Sequence, residues 1–145
     1  MQIEFREIDR SNWYECVELK LHDEQEDFVA SNAYSLAQAA YEPDMFPFAI
    51  YRDGTMVGFM MYGYDPDLEV WEMCRLMVDK KYQGQGIGRA AVEKLKKLVT
   101  ERLGHIMFYT SAEPNNEVAI GLYEKLGFVK NGRIVYGEVM MEIQL

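Results

Sequence analysis

The chain has 145 residues, of which 49% are hydrophobic and 27% charged, so we expect one folded domain over residues 1–145 rather than a disordered protein. No apolar run approaches the roughly 20 residues of a membrane span, and the charged N-terminus lacks the apolar stretch of a secretory signal, which together favour a cytoplasmic protein. The net charge of −9 would repel phosphates and makes nucleic acid a poor partner.

The charge is unevenly distributed along the chain. Acidic residues outnumber basic ones by 16 to 4 over residues 1–72, whereas basic residues outnumber acidic ones by 7 to 2 over residues 75–97. The basic segment could hold a small phosphorylated ligand and the acidic half could attract a small cationic one, although both could also be solvated surface. The two cysteines and two histidines lie too far apart to predict a disulfide framework or a metal site.

The first half of the chain predicts one strand, two helices and three further strands. Alternating apolar residues predict a strand at 2–8, followed by a helix that Asp9 or Ser11 can cap. A second helix over about 24–41 ends before Pro43. Three strands follow, at 46–52, 56–64 and 69–79. They are joined by turns at Asp53-Gly54 and at Asp65-Pro66-Asp67.

The second half alternates helices and strands before a closing hairpin. A glycine-rich turn at 83–88 leads into a helix over 87–103 that ends at Gly104. A strand and a helix come next, at 105–111 and 116–126. Asn131-Gly132 predicts the turn of a last hairpin. Its strands lie near 128–135 and 138–144. The order β-α-α-β-β-β-α-β-α-β-β indicates an α+β, or mixed α/β, domain around one largely antiparallel sheet.

The glycine-rich turn is the clearest candidate for a ligand site. It places Gly84, Gly86 and Gly88 between a strand and a helix, where glycine lets a ligand approach the backbone and the first helical N–H groups lack partners. Such a turn can bind a diphosphate. The spacing G-x-G-x-G differs from the Rossmann fingerprint, and Arg89 stands where a Walker A motif has lysine. From the residues alone, a purely structural turn is the alternative.

The chain resembles the GNAT superfamily of N-acetyltransferases in two separate motifs. These are Q-x-x-G-x-G at 83–88 and N-x-x-A-x-x-L-Y-E-K-L-G-F at 116–128. The resemblance implies a fold in which strands 4 and 5 splay apart, beside a β-bulge, to admit acetyl-CoA. Residues 57–63, the loop at 82–86 and the short C-terminal hairpin are also similar to bacterial spermine/spermidine N-acetyltransferases.

The resemblance implies roles for the residues that match these motifs. The backbone of Met77 and Val78 would pair with the pantetheine arm of acetyl-CoA like an added strand, and Asn116 would contact that arm. Tyr123 would place its hydroxyl near the CoA sulfur. The backbone amides of the loop would hold the pyrophosphate, at Gln83, Gly84, Gln85, Gly86, Ile87, Gly88 and Arg89.

Acetylation of an amine requires a base for the ammonium, donors for the developing oxyanion and an acid for the leaving thiolate. An ordinary phenol has a pKa of about 10, so Tyr123 could donate to sulfur, although its spacing also suits a core aromatic. A backbone N–H at Met77 or Val78 would serve the oxyanion. We favour Glu72 as the base, since its apolar neighbours should raise its pKa. Glu72 could instead bind only the substrate cation, or be an exposed strand carboxylate.

The expected acceptor is a small cationic amine, with a polyamine as the leading candidate. Its ammonium groups call for carboxylates and aromatic walls. The candidates are Glu24, Glu26, Asp27, Glu42, Tyr62, Tyr64, Glu72 and Glu113. The alternatives are another small amine, a protein N-terminus, a CoA-binding module without catalytic activity, or a nucleotide-binding protein. The resemblance also allows a homodimer, without indicating an interface.

Overall fold

Seven strands pair into a single sheet that carries helices on both faces. The computed structural model describes residues 1–145. Its strands are β1 (Ile3–Glu7), β2 (Met45–Arg52), β3 (Thr55–Asp65), β4 (Val70–Val78), β5 (Met107–Ala112), β6 (Val129–Val135) and β7 (Glu138–Gln144). Its helices are α1 (Trp13–Glu18), a 3-10 helix (Asp23–Phe28), α2 (Asn32–Tyr41), α3 (Ile87–Leu103) and α4 (Glu117–Lys125). No helix has the length and apolar character needed to cross a membrane.

The sheet has the order β1-β2-β3-β4-β5-β7-β6, and every neighbouring pair is antiparallel except β4 and β5. The predicted mixed α/β class and largely antiparallel sheet are therefore confirmed. One face packs against α3 and α4 through residues such as Leu95 and Phe108. The other face packs against α1 and α2 through residues such as Cys16 and Phe59. The central strand β3 is thus covered on both sides, which explains why its residues 56–63 are all buried.

Strands β4 and β5 are parallel neighbours over only three residue pairs. Residues 71–73 of β4 pair with 108–110 of β5, and beyond Met73 and Thr110 the two strands continue without pairing. At the same point the register between β3 and β4 shifts, which leaves Cys74 as an extra residue in β4. Such a bulge bends a strand and increases its twist. The predicted splay and its adjacent bulge are both confirmed.

The predicted helix over 24–41 is wrong, because the structure has two helices there. Val29 and Ser31 are extended and separate the 3-10 helix from α2. The Ser31 hydroxyl accepts a hydrogen bond from the backbone N–H of Tyr34 at 3.1 Å, which starts a new helix. A serine that can cap a helix competes with continuation of the preceding one.

The last hairpin forms from the predicted strands but turns at a different place. Tyr136 and Gly137 occupy the turn, both with positive φ (51° and 79°), as a two-residue hairpin connection requires. Asn131 and Gly132 lie within β6, where the register to β7 shifts between Lys130 and Ile134. Asn-Gly is suited to this irregularity for the same reason that it suits a turn, since Gly132 has a φ of 85°.

Candidate active site

The divergence of β4 from β5 opens a groove of about 1600 Å³. Its walls come from the separating strands, the glycine-rich loop, the starts of α3 and α4, and, across from these, the 3-10 helix and α2. The groove therefore runs from the glycine-rich loop, past the bulge in β4, to the turn between β3 and β4. The predicted cofactor residues other than Gln85 line this groove, and of the eight predicted acceptor residues Glu42, Tyr64 and Glu72 line it.

The glycine-rich loop offers a row of unused backbone donors. None of the backbone N–H groups of residues 83–89 donates to another group of the protein. Gly84 and Gly86 have φ values of 76° and 82°, a conformation that residues with a side chain rarely adopt. The buried Asp79 fixes the entry to the loop, since its carboxylate accepts the N–H groups of Lys20 and Lys81 at 2.9 and 3.0 Å. These features fit a diphosphate at the start of α3.

The side chains of the two loop glutamines have different surroundings. Gln83 donates to the carbonyl of Val78 at 3.0 Å and exchanges two hydrogen bonds with Gln25 of the 3-10 helix, at 2.9 and 3.1 Å. This side chain therefore ties the loop to β4 and to the opposite wall of the groove. The Gln85 side chain lies outside the groove, where it accepts a hydrogen bond from Arg52 at 2.7 Å. Only the backbone of Gln85 is therefore available for the predicted role.

The groove-facing edge of β4 is unpaired over residues 74–78, because β5 has already diverged. Met77 and Val78 lie at this edge and line the groove. Gly88 and Arg89 line the groove from the start of α3. A free strand edge can pair with an extended ligand through its N–H and C=O groups. The arrangement therefore fits the extended arm that the sequence analysis assigned to Met77 and Val78.

Tyr123 lies on α4 and contributes both to the core and to the groove wall. It is only 6% exposed, and its ring lies 5.8 Å from that of Phe128. Burial raises the pKa of the Tyr123 phenol to about 12, against a smaller opposing effect of the Thr110 hydroxyl. The phenol thus keeps its proton at neutral pH. Asn116 also lines the groove and caps α4, because its side-chain oxygen accepts the N–H of Ala119 at 3.3 Å.

Glu72 lies in the short paired segment of β4 and also faces the groove. Its pKa is raised to about 7, first by burial, then by the negative charges of Asp65 and Glu138, while Arg75 opposes the shift. A carboxylate with such a pKa is partly ionised at neutral pH and can accept a proton there. The groove thus presents a candidate base and a candidate acid on two different elements.

Residues 3–128 match the model of the acetyltransferase (GNAT) family. The chain belongs to the GNAT family. It aligns over its full length with two full-length Bacillus subtilis proteins, at 30% identity with a probable spermine N(1)-acetyltransferase of subspecies natto and at 29% with the spermine/spermidine N(1)-acetyltransferase of strain 168. The structure of the PaiA N-acetyltransferase from Thermoplasma acidophilum superposes with a TM-score of 0.73 and 17% identity, covering 100% of both chains. The chain is therefore an acetyl-CoA-dependent N-acetyltransferase.

The end of this GNAT groove away from the glycine-rich loop is strongly acidic. Tyr64 lies there, with its ring 5.4 Å from that of Trp71. The Tyr136 hydroxyl donates to Asp65 at 3.1 Å, and so connects the last hairpin to the turn between β3 and β4. The carboxylates that line this end are Glu42, Asp44, Asp65, Asp67, Glu72 and Glu138.

Sequence reasoning missed the contribution of the last hairpin to this site. Glu138 begins β7, directly after the turn, and accepts a hydrogen bond from the Ser111 hydroxyl of β5 at 2.6 Å. The β7 strand lies between β5 and β6, so the hairpin returns Tyr136 and Glu138 to the groove. The available signal was Tyr136-Gly137-Glu138, a turn that immediately precedes a strand, but Asn131-Gly132 was preferred as the turn.

Five predicted acceptor residues do not line the groove: Glu24, Glu26, Asp27, Glu113 and Tyr62. Side chains three residues apart share one face of a 3-10 helix, and here Gln25 and Phe28 face the groove. The three predicted carboxylates on the same helix are exposed to solvent instead, at Glu24, Glu26 and Asp27. Glu113 precedes α4 outside the groove.

Tyr62 lies in the hydrophobic core, because β3 is covered on both faces. Only 1% of its surface is exposed, and its ring stacks near those of Phe46 and Phe48. Its hydroxyl accepts a hydrogen bond from Arg102 at 3.0 Å. Its position therefore argues against a substrate contact.

Proposed function

We propose that this enzyme acetylates a primary amine of a polyamine, such as spermidine or spermine, by direct attack of the amine on the thioester of acetyl-CoA. The observation that carries the proposal is the acidic end of the groove, where several carboxylates surround Glu72. A polyamine has several ammonium groups separated by methylene chains, so it is complementary to carboxylates placed between aromatic walls. The names of the two Bacillus relatives support the same substrate class.

The cofactor end holds acetyl-CoA mainly through the backbone. The free N–H groups of residues 83–89 would donate hydrogen bonds to the pyrophosphate, and the unpaired edge at Met77 and Val78 would pair with the pantetheine arm. Asn116 and Tyr123 would contact the arm and the sulfur from α4. When bound there, acetyl-CoA supplies the activated acetyl group.

The chain's own residues then handle two protons and one developing charge. Glu72 would accept a proton from the ammonium, directly or through water, because only a neutral amine has the lone pair that attacks a carbonyl. A backbone N–H at Met77 or Val78 would stabilise the negative charge that develops on the thioester oxygen. Tyr123 would donate its proton to the departing thiolate, and the second proton that the amine nitrogen loses as the amide forms would return to the phenolate, directly or through water.

The direct test is an acceptor screen that follows CoA release from acetyl-CoA. Polyamines, amino acids, aminoglycosides and peptides would be compared at equal concentration. We expect spermidine or spermine to have the highest kcat/KM. Turnover of a different amine class without turnover of any polyamine would contradict the proposed acceptor. Absence of turnover with all of them, despite binding of CoA measured by calorimetry, would favour the CoA-binding module without catalytic activity.

Replacing Glu138 by glutamine should raise KM for spermidine about tenfold or more, with a smaller effect on kcat. The neutral amide loses one charge-assisted contact with a distal ammonium, and such contacts contribute about 1.5–3 kcal/mol. A monoamine such as butylamine has no distal ammonium, so its KM should change little. Glu113→Gln is the matched control, since Glu113 lies outside the groove. Equal effects of Glu138→Gln on both amines would argue against a distal ammonium contact.

A further inference from the structure

Arg75 connects β4 to α2 directly beside the bulge. Its guanidinium donates to the Ser35 hydroxyl at 3.0 Å and to the Gln38 side-chain oxygen at 2.9 Å, both on α2. A third hydrogen bond goes to the carbonyl of Cys74 at 2.9 Å, and the group lies 5.9 Å from the centre of the Tyr34 ring. The planar fork of an arginine side chain is therefore used in three directions at once.

All of these partners are neutral, so the positive charge of Arg75 is not cancelled. The guanidinium forms no ion pair with a carboxylate, even though it lines a groove rich in carboxylates. Ser35 is fully buried, and its hydroxyl donates in turn to the carbonyl of Ser31 at 3.1 Å. The position of the charge is thus fixed by uncharged groups of α2 and β4.

The bulge explains how Arg75 and Glu72 come to lie on one face of β4. Side chains three positions apart in a regular strand point to opposite faces. The extra residue Cys74 reverses the alternation, which is why Met73 packs on the α3 side of the sheet and Met77 on the α1 side. Arg75 shares the face of Met77, and Glu72 lies opposite to Met73, so both point towards the α2 side.

The charged and titratable groups around Glu72 come from several elements. Asp65 at the end of β3 and Glu138 of β7 raise the pKa of Glu72, and Arg75 of β4 lowers it. The phenol pKa of Tyr136, at the hairpin turn, is raised by burial, then by its hydrogen bond to Asp65 and by the charges of Asp65, Asp67 and Glu72. The C-cap of α2 adds Glu42 to the groove. Arg75 is the one cation among the groups that act on Glu72.

We propose that Arg75 is a positioning residue of the acceptor site, which fixes α2 against β4 through Ser35 and Gln38 and keeps a positive charge beside Glu72. This proposal rests on the proposed function for the identity of the amine used to measure it and for Glu72 as the base. The hydrogen bonds from Arg75 to Ser35 and Gln38, which we call the clamp, set the distance between the α2 wall and the reactive segment of β4. This distance governs acceptor binding. The charge favours the ionised form of Glu72, which is the form that accepts a proton.

Two substitutions separate these two effects. Arg75→Lys keeps the charge but loses the fork, so KM for the acceptor should rise about tenfold while the pH midpoint of kcat/KM stays in place. Arg75→Gln loses the charge as well, so the rise of kcat/KM with pH should move to higher pH by about half a unit or more. KM for acetyl-CoA serves as the control for folding in both variants. An unchanged acceptor KM in Arg75→Lys, or an unchanged midpoint in Arg75→Gln, would overturn the proposal.

A second variant covers the case in which the Arg75 variants do not fold, and a second measurement tests the effect of the charge without any substrate. Ser35→Ala combined with Gln38→Met removes the α2 partners and leaves Arg75 in place, and should raise the acceptor KM without moving the pH midpoint. A carbon-13 NMR titration of the Glu72 carboxyl group in acceptor-free protein should show a higher midpoint in Arg75→Gln than in the wild type. This titration needs no substrate, so failure of the polyamine proposal would leave it intact. Unchanged kinetics in the double variant would refute the clamp.

Discussion

Replacing Tyr123 by phenylalanine is expected to lower kcat about 100-fold or more while KM for acetyl-CoA and for the acceptor changes about twofold at most. A positioned proton donor contributes typically 10²–10⁴-fold to a rate, and this contribution is made in the transition state rather than on binding. Phenylalanine keeps the ring that packs against Phe128, so the fold should be retained. Steady-state kinetics with acetyl-CoA and spermidine would measure the effect.

Tyr62→Phe provides the matched control for this substitution. Both tyrosines are almost fully buried, but the Tyr62 hydroxyl accepts a hydrogen bond from Arg102 in the last turn of α3, away from the groove. We expect Tyr62→Phe to leave kcat unchanged and to cost about 1 kcal/mol of unfolding free energy, the typical contribution of one hydrogen bond. An unchanged kcat in Tyr123→Phe would refute the proposed acid and return Tyr123 to a packing role.

Tyr123, the proposed acid, should not titrate within the pH range of the assay. Because the pKa of the phenol is raised to about 12, Tyr123 stays protonated throughout the range in which the enzyme can be assayed. No loss of kcat between pH 7 and 10 should therefore trace to this residue. A decline that disappears in Tyr123→Phe would contradict the assignment.

The fold was predictable because its strongest signals are local. The alternation of apolar residues, the Asp53-Gly54 turn and the glycine-rich stretch before α3 each act over a few neighbouring residues. The signal at Ser31 was also local, since a capping serine there starts a new helix, but the prediction ran a single helix through it. Asn131-Gly132 misled for a different reason, since the same backbone preference serves a turn and a bulge.

The candidate site was only partly predictable because it is assembled from distant segments. The cofactor end lies on one strand-loop-helix unit and on α4, so its residues could be inferred from two motifs. The acceptor end depends on which strand neighbours β5, and only the sheet order brings Glu138 of β7 to Glu72. The count of carboxylates in residues 1–72 indicated a cationic ligand without locating it. The carboxylates of the 3-10 helix face solvent, while those near the β3–β4 turn line the groove.

Replacing Glu72 by glutamine is expected to lower kcat/KM about 100-fold at pH 8 and to flatten its dependence on pH. In the wild type the rate should rise as Glu72 loses its proton around pH 7, because only the ionised carboxylate accepts a proton. A primary ammonium has a pKa near 10, so its own ionisation would give a rise of kcat/KM that continues up to pH 9, whereas ionisation of Glu72 gives a rise that levels off above pH 7. The pH dependence of kcat/KM from pH 5.5 to 9 would measure the change, with Glu113→Gln as the control of the same chemical type.

The same substitution should make the protein more stable at alkaline pH. The pKa of Glu72 in the folded state is about 7, above the unfolded value near 4.5, so the proton that the folded state binds stabilises it at low pH. That stabilisation is lost as the pH rises through 7, where the folded protein must bury a charge. Glutamine removes this penalty, so the unfolding free energy at pH 8 should increase by about 1–2 kcal/mol after allowance for solvent screening.

Loss of activity together with a gain of stability distinguishes a base from the other roles that Glu72 could have. A carboxylate that only binds the substrate cation would show a raised KM with an unchanged kcat when replaced by glutamine. An exposed strand carboxylate would change neither the rate nor the stability. A cost in stability at this position shows only that the carboxylate is buried, so the change in kcat is what separates a base from a binding residue. Denaturant unfolding at pH 5.5 and pH 8, measured beside the kinetics, would therefore decide among the three roles, and a pH–rate profile identical to that of the wild type would remove Glu72 as the base.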